Sequence, residues 1–256
     1  GFFGQKANRT DAGVSEIMKK IFIDGSAGTT GLRIFERLSS RTDLTLLTLP
    51  EEQRKDTASR ARALNEADIA ILCLPDAAAR EAVSLIENPD TVVLDTSTAH
   101  RTAPGWVYGF PELSASQAAA IRTAKRIAVP GCHASGFIAL TAPLRTAGIL
   151  PAETLLSCFS LTGYSGGGKK MIAEYEMQPS PAALHAPRQY ALGQSHKHLA
   201  EMAAMSGLPC PVFCPVVGDF YSGMQVTVPL FAAQCVPGTT KEKIADLYRE
   251  VYRGPV

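Results

Sequence analysis

Cys132 stands in "RIAVPGCHASGF" between Gly131 and His133, directly after a short apolar run. A free thiol in such a place is either buried core, where cysteine is commonly found, or a nucleophile. The run reads as a strand, and "HASGFIALTAPLRTAG" after it reads as a helix, kinked or interrupted near Pro143. A thiol at a helix N-terminus is expected to have a lowered pKa, because the helix dipole favours thiolate. The carboxyl ends of parallel strands are also where doubly wound sheets bind ligands. None of Cys73, Cys158, Cys210, Cys214 and Cys235 combines these features, and Cys73 in "DIAILCLP" reads as core. No pair has C-x-x-C spacing, and "CPVFC" (Cys210, Cys214) has no second cluster, so no metal site is expected. This cysteine usage fits a reducing, cytoplasmic setting.

His133 is the nearest imidazole, but side chains adjacent on a helix diverge by about 100°. A base must come within about 3 Å of the proton it moves, or act through one water. The remaining histidines are His100, His185, His196 and His198. In "GQSHKHLAEM" the last two occur as an i, i+2 pair before a helix-like stretch, a spacing that excludes a helical metal clamp. One of them is expected to serve the thiol and the other to contact substrate; a pair of surface histidines is the alternative. Arg101 in "DTSTAHR" can clamp a carboxylate or phosphate through two parallel hydrogen bonds. "GYSGGGKK" gathers exposed amides with Lys169 and Lys170, an arrangement suited to anions.

These groups need elements to hold them. Gly25, Gly28 and Gly31 in "DGSAGTTG" lie between the first strand and the first helix, as a G-x-x-G-x-x-G variant of the dinucleotide fingerprint. Such a loop lets backbone amides approach a pyrophosphate at a helix N-terminus. The second strand ends with Leu49 and Pro50 where an NAD site usually has an acid. Arg54 and Lys55 follow and can pair with a 2′-phosphate, whereas Glu51 and Glu52 argue the other way; NADP is the expected cofactor.

From Lys19, "KKIFIDG", "LTLLTL", "DIAILCLP", "TVVLDTS" and "RIAVPG" read as five strands separated by helical segments. That alternation predicts an α/β fold with a Rossmann-like, doubly wound parallel sheet. After Cys132 the pattern becomes α+β, with an antiparallel strand in "MQVTVPLFAAQC" and a helix in "TTKEKIADLYREVY" capped by Thr240. The expected organisation is a flexible leader over 1–17, a nucleotide domain over 18–131 and a second domain over 132–256. The leader lacks the basic start and apolar core of a secretory signal. Charged residues make up only 19% and net charge is +1, so nothing marks a nucleic-acid or anionic-membrane partner. No apolar run approaches the roughly 18–20 residues that span a bilayer.

In this order, "GSAGTTG", "DTSTAHR", "YGFPEL", "PGCHASG", "GYSGGGKK", "HKHLAE" and "GMQVTVPL" resemble the short form of the N-acetyl-γ-glutamyl-phosphate reductases, over nearly all of Met18 to Val256. "PGCHASG" preceded by "YGFPEL" is the specific part; the glycine loop is not. The resemblance implies that the second domain is of the semialdehyde dehydrogenase type. It implies that Cys132 attacks an acyl phosphate to form a thioester, that NADPH reduces it, and that His196 is the acid/base. Cofactor contacts are then expected from Gly25, Ser26, Gly28, Thr29, Thr30, Gly31, Arg54, Lys55, Ser97, Ser165 and Gly166, and substrate contacts from Arg101, Ser135, Lys169 and His198. A homo-oligomer, dimer or tetramer, is implied, as is a C-terminal segment of roughly fifty further residues closing the first domain. Alternatives are an aspartate-semialdehyde dehydrogenase-like enzyme, a reductase using direct hydride transfer, and a nucleotide-sensing protein without catalysis.

Overall fold

The computed structural model describes residues 18–253, and the expected leader over 1–17 lies outside them. The first half runs β1 (Lys19–Asp24), α1 (Thr29–Ser39), β2 (Leu44–Leu47), α2 (Thr57–Glu66), β3 (Ile69–Leu72), α3 (Asp76–Ser84) and β4 (Val92–Asp95). It continues through β5 (Val107–Tyr108), α4 (Ala115–Thr123) and β6 (Arg126–Ala128). All six strands form one parallel sheet in the order β2-β1-β3-β4-β6-β5. The helices start where the sequence supplies caps: Asp56 accepts from the Ser59 amide at 2.8 Å, and Ser114 from the Gln117 amide at 3.0 Å. Ile21, Phe22 and Ile23 are all buried, as befits a central strand covered on both faces. The sheet has one strand more than the five expected. β5 is two residues long, too short to carry a periodicity, and it pairs only at the edge, with β6.

The second half comprises α5 (Cys132–Thr146), β7 (Ser157–Gly163), α6 (Gly168–Glu176), β8 (Arg188–Gln189), α7 (Leu199–Ser206), β9 (Val212–Gly218), β10 (Met224–Thr227) and α8 (Lys241–Val251). Its sheet is mixed, β10-β7-β9-β8, with β7 and β9 parallel and the outer strands antiparallel. The "MQVTVPL" segment thus forms the expected antiparallel strand, and Thr240 caps α8 by accepting from the Lys243 amide at 3.3 Å. One face of this sheet packs on α5 and α7 through Phe137, Ile138, Met202 and Phe213, all at most 1% exposed. The opposite face leaves Phe159 and Val212 in solvent.

Of the kink or interruption expected near Pro143, the interruption does not occur: α5 runs through the proline. A proline inside a helix removes a donor and crowds the carbonyl four residues earlier. Here that carbonyl, on Ala139, accepts from the Tyr252 hydroxyl at 2.6 Å, and the neighbouring Leu140 carbonyl accepts from Tyr248 at 2.5 Å. The C-terminal end of α8 therefore satisfies the acceptors exposed by Pro143, and α5 stays continuous behind its first turn.

Candidate active site

Cys132 is the first residue of α5, and Gly131 is the N-cap, with no side-chain cap at this end. The reason for glycine at 131 is space. A Cβ there would lie 2.4 Å from Arg101 Nη1, 2.5 Å from Glu201 Oε1 and 2.6 Å from His198 Nε2. Three polar side chains therefore close on the backbone immediately before the thiol. Cys132 is exposed to a cleft of about 430 Å³ that it shares with Thr30, Gly166, Tyr190, His196 and His198. Its thiol pKa lies above the ordinary value, which corrects the expected lowering. Crowding by protein atoms outweighs the His133 and Cys132 backbone amides and the more distant charge of Arg101. A nucleophile in this state needs a partner that takes its proton.

Glu201, on α7 and 1% exposed, organises the approach to Cys132. It accepts from Arg101 Nη1 at 2.6 Å, from the Tyr108 hydroxyl at 2.7 Å and from the Gly131 amide at 3.0 Å. The other arms of Arg101 donate to the Val129 carbonyl and the Thr96 carbonyl, each at 2.9 Å. The fork expected to clamp substrate is thus engaged by protein on all three sides, and Arg101 borders the cleft as a buried ion pair. The loop that delivers it is built on Asp95. That carboxylate accepts from the Ser97 amide at 2.9 Å and the Ser97 hydroxyl at 2.7 Å, and it bonds His100 Nδ1 at 2.6 Å. Trp106 stacks on His100, with ring centroids 4.1 Å apart.

Three histidines meet beside the thiol. The rings of His196 and His198 lie 4.6 Å apart, and each is 5.5 Å from His133. His133 faces away from the role of base, as its position on the helix predicts. Its Nδ1 bonds Ser160 Oγ at 2.7 Å and its Nε2 bonds the Tyr190 hydroxyl at 2.8 Å. Burial pushes its pKa down to about 4, with His196 adding to the shift, so the ring is neutral near pH 7. His196 is half-buried, and burial, then Lys197, lowers its pKa. Its Nδ1 accepts from the His198 amide at 3.1 Å, which puts the proton of the neutral ring on Nε2. His198 is buried, its pKa is pushed down to about 2 mainly by burial, and its Nδ1 has no hydrogen-bond partner. The residue lines the Cys132 cleft, where its ring can meet a ligand.

The glycine loop flanks a second cleft of about 420 Å³, between the ends of β1 and β2. Gly25 has φ +85°, and a Cβ there would meet the Cys73 carbonyl oxygen at 2.3 Å, so β1 can turn this tightly into α1 only with glycine. Gly28 caps α1 without a side-chain bond, leaving the first amides of the helix free for an anion. Ser26, Arg54 and Lys55 line this cleft, as does Asp24, which is held by Arg60 at 3.0 Å. A glycine loop and two cations lining one cleft suit an adenine dinucleotide. Thr29 and Ser165 face a neighbouring opening between α1 and the loop after β7, and Thr30 links α1 to the Cys132 cleft.

Gly28 and Gly31 line neither cleft, and three further expected contacts are engaged or placed elsewhere. The Ser97 hydroxyl donates to Asp95 and accepts from the Ala99 amide at 3.1 Å, so it builds the loop. Ser135 is turned back on the Gly131 carbonyl at 2.9 Å inside α5, and Lys169 is exposed on α6 outside the lining of the Cys132 cleft. Sequence reasoning missed Glu201, Tyr108, Tyr190 and Lys197. "HKHLAE" contains two of the four, but a glutamate on a helix ordinarily faces water. A lone tyrosine carries no spacing to read.

Residues 20–121 match the family model described as semialdehyde dehydrogenase, NAD binding domain, and residues 132–255 the one described as semialdehyde dehydrogenase, dimerisation domain. The chain is 50% identical over 239 residues to the N-acetyl-gamma-glutamyl-phosphate reductase of Sinorhizobium medicae, covering 92% of this chain and 77% of that protein. It is 55% identical over 212 residues to the protein of the same name from Chelativorans, covering 82% and 68%. Among solved structures, aspartate semialdehyde dehydrogenase II of Vibrio cholerae superposes with a TM-score of 0.68 at 16% identity, over 92% of this chain and 80% of that one, a likeness of fold.

Proposed function

The chain belongs to the N-acetyl-γ-glutamyl-phosphate reductase family, within the semialdehyde dehydrogenases, and we propose that it reduces N-acetyl-γ-glutamyl phosphate to N-acetylglutamate semialdehyde with NADPH, a step of arginine biosynthesis. The observation that carries this reading is the meeting of Cys132, His196, His198 and the start of α1 at one cleft. In the proposed reaction the Cys132 sulfur bonds to the acyl carbon, the carbon–oxygen bond to phosphate breaks, and phosphate leaves. NADPH, when bound, would supply a hydride to the thioester carbon, after which the carbon–sulfur bond breaks, releasing the aldehyde and returning the Cys132 thiolate. His196 exchanges protons at Nε2. The resting ring carries that proton and is set to donate it to the leaving or developing oxygen. Accepting the thiol proton requires Nδ1 to give up the His198 amide. The amides that open α5 face the reacting centre and stabilise an oxyanion there. His198 contacts substrate from the wall of the same cleft.

NADP is preferred through Arg54 and Lys55, which line the glycine-loop cleft. Within this reading 18–131 is the nucleotide domain and 132–256 the catalytic and oligomerisation domain. The uncovered face of the second sheet, with Val212 57% and Phe159 48% exposed, supports a homo-oligomer, to be tested by light scattering. The six cysteines are all free, which fits a reducing compartment, and among the described residues no helix is long and apolar enough to cross a membrane. The test of function is NADP reduction with N-acetylglutamate semialdehyde and phosphate. Cys132→Ser is expected to abolish turnover while retaining nucleotide binding, and substrate is expected to slow alkylation of Cys132 by iodoacetamide. Turnover retained in Cys132→Ser would remove the thioester mechanism. The aspartate-semialdehyde reading is disfavoured because the relatives near 50% identity carry the arginine-pathway name.

A further inference from the structure

The residue beside the nucleophile, His133, has both ring nitrogens engaged and neither directed at the thiol. One edge is tied to Ser160, which lies on β7 and is 1% exposed; the other reaches the hydroxyl of Tyr190. Phe213 packs edge-on against the imidazole with ring centroids 5.3 Å apart, so the ring is held in its plane from both ends and one side. Tyr190 itself follows β8, and its amide donates to the Pro215 carbonyl at 3.1 Å, which anchors its backbone to β9. Its ring borders the cleft that contains Cys132.

A serine–histidine–tyrosine chain of this kind has two proton arrangements. In one, His133 donates to Ser160 and accepts from Tyr190. In the other, Ser160 donates to Nδ1, Nε2–H donates to the phenol oxygen, and the phenolic proton is free for a ligand. No other hydrogen-bond partner occupies the Tyr190 hydroxyl among the described residues. We propose that His133 is a positioning residue that holds Tyr190 with its phenolic O–H available in the cleft, and that Tyr190 donates this hydrogen bond to the carbonyl oxygen of the acyl group carried by Cys132. The chain forms no bond and transfers no proton in this role. It adds a side-chain donor to the amides at the start of α5, aimed where negative charge develops. Burial pushes the Tyr190 pKa up to about 12, which keeps the phenol protonated and a donor across the working pH range. The inference rests on Cys132 being the nucleophile.

The test is a mutant cycle with kcat and KM measured separately, alongside thermal unfolding to establish that each variant is folded. Tyr190→Phe is expected to lower kcat at least tenfold with little change in KM. His133→Asn, whose amide is too short to reach Tyr190, is expected to lower kcat by a similar factor. His133→Gln, whose amide can reach the position of Nε2, is expected to recover most of it. The double variant His133→Asn/Tyr190→Phe is expected to be no slower than Tyr190→Phe alone. Multiplying effects, or a Tyr190→Phe enzyme with normal kcat, would overturn the proposal, and a rise in KM alone would refute the contact at the reacting carbonyl. Cys132→Ser separates the two levels of inference. Turnover surviving in that variant removes the thioester reading itself, whereas an essential Cys132 with a silent Tyr190→Phe removes only this proposal.

Discussion

Replacing Glu201 by glutamine changes one atom of the side chain and tests the whole organisation around Gly131. The carboxylate has three partners, and all three are donors: Arg101 Nη1 at 2.6 Å, Tyr108 Oη at 2.7 Å and the Gly131 amide at 3.0 Å. A carboxamide has one oxygen and one NH2, so whichever way it is turned at least one donor meets another donor. If its oxygen stays with Tyr108 and Gly131, the NH2 faces the Arg101 guanidinium, now a buried cation without its anion. Breaking a buried pair from one side costs roughly 3–5 kcal/mol. At about 2–4 °C per kcal/mol for a chain of this size, the melting temperature is expected to fall by on the order of 10 °C. Differential scanning calorimetry measures the fall, and steady-state kinetics on the folded variant measures the consequence at Cys132. Arg101 Nη1 lies against Gly131, so displacing the stranded guanidinium disturbs the residue before the nucleophile, and kcat is expected to fall along with stability. A cycle with Arg101→Met should show coupling, because that second change removes the stranded cation. A Glu201→Gln protein melting within 2 °C of the parent would refute the reasoning, since only an exposed or already neutral carboxyl tolerates the exchange so well.

Three shorter predictions accompany it. Gly131→Ala puts a methyl group within 2.6 Å of Arg101, Glu201 and His198 atoms, and displacing the nucleophile by as little as about 1 Å is expected to cost about 100-fold in kcat/KM while NADP binding, read by fluorescence, persists. Stability should fall with acid, because His133 has a folded pKa of about 4 against the ordinary 6.5, so the unfolded chain binds the extra proton between those values. Urea midpoints should therefore drop between pH 6.5 and 4 with a contribution of up to about 1.4 kcal/mol per pH unit from this ring, and His133→Gln should flatten the slope; equal slopes in the two proteins would contradict it. Removing the cations of the glycine-loop cleft, in Arg54→Ala/Lys55→Ala, should weaken NADP by about tenfold, near 1.4 kcal/mol, and leave NAD unchanged in titrations. An equal loss for both nucleotides would place the 2′-phosphate elsewhere.

Much of this protein was legible along the chain because its signals are local. Alternating apolar runs and capped helices predict the parallel sheet, since strand burial and N-capping depend on residues only a few positions apart. The glycines after β1 announce the tight turn, and Gly131–Cys132 at a strand-to-helix junction marks the thiol, because backbone geometry at such junctions is set by the residues in them. Even the exclusion of His133 as base follows from helical spacing alone. What could not be read is who stands opposite whom. Glu201 is separated from Arg101 by 100 positions and from Gly131 by 70, and only the packing of α7 against the start of α5 turns a helical glutamate into the buried anion that organises the site. The same packing spends the arginine fork on protein and raises the thiol pKa that a bare helix dipole would lower. Pro143 is the plainest case: read locally it breaks a helix, yet α5 runs through it because a tyrosine 113 positions after Ala139 supplies the missing hydrogen bond. Charge, desolvation and hydrogen-bond satisfaction are sums over neighbours in space, and those neighbours are assigned by the fold.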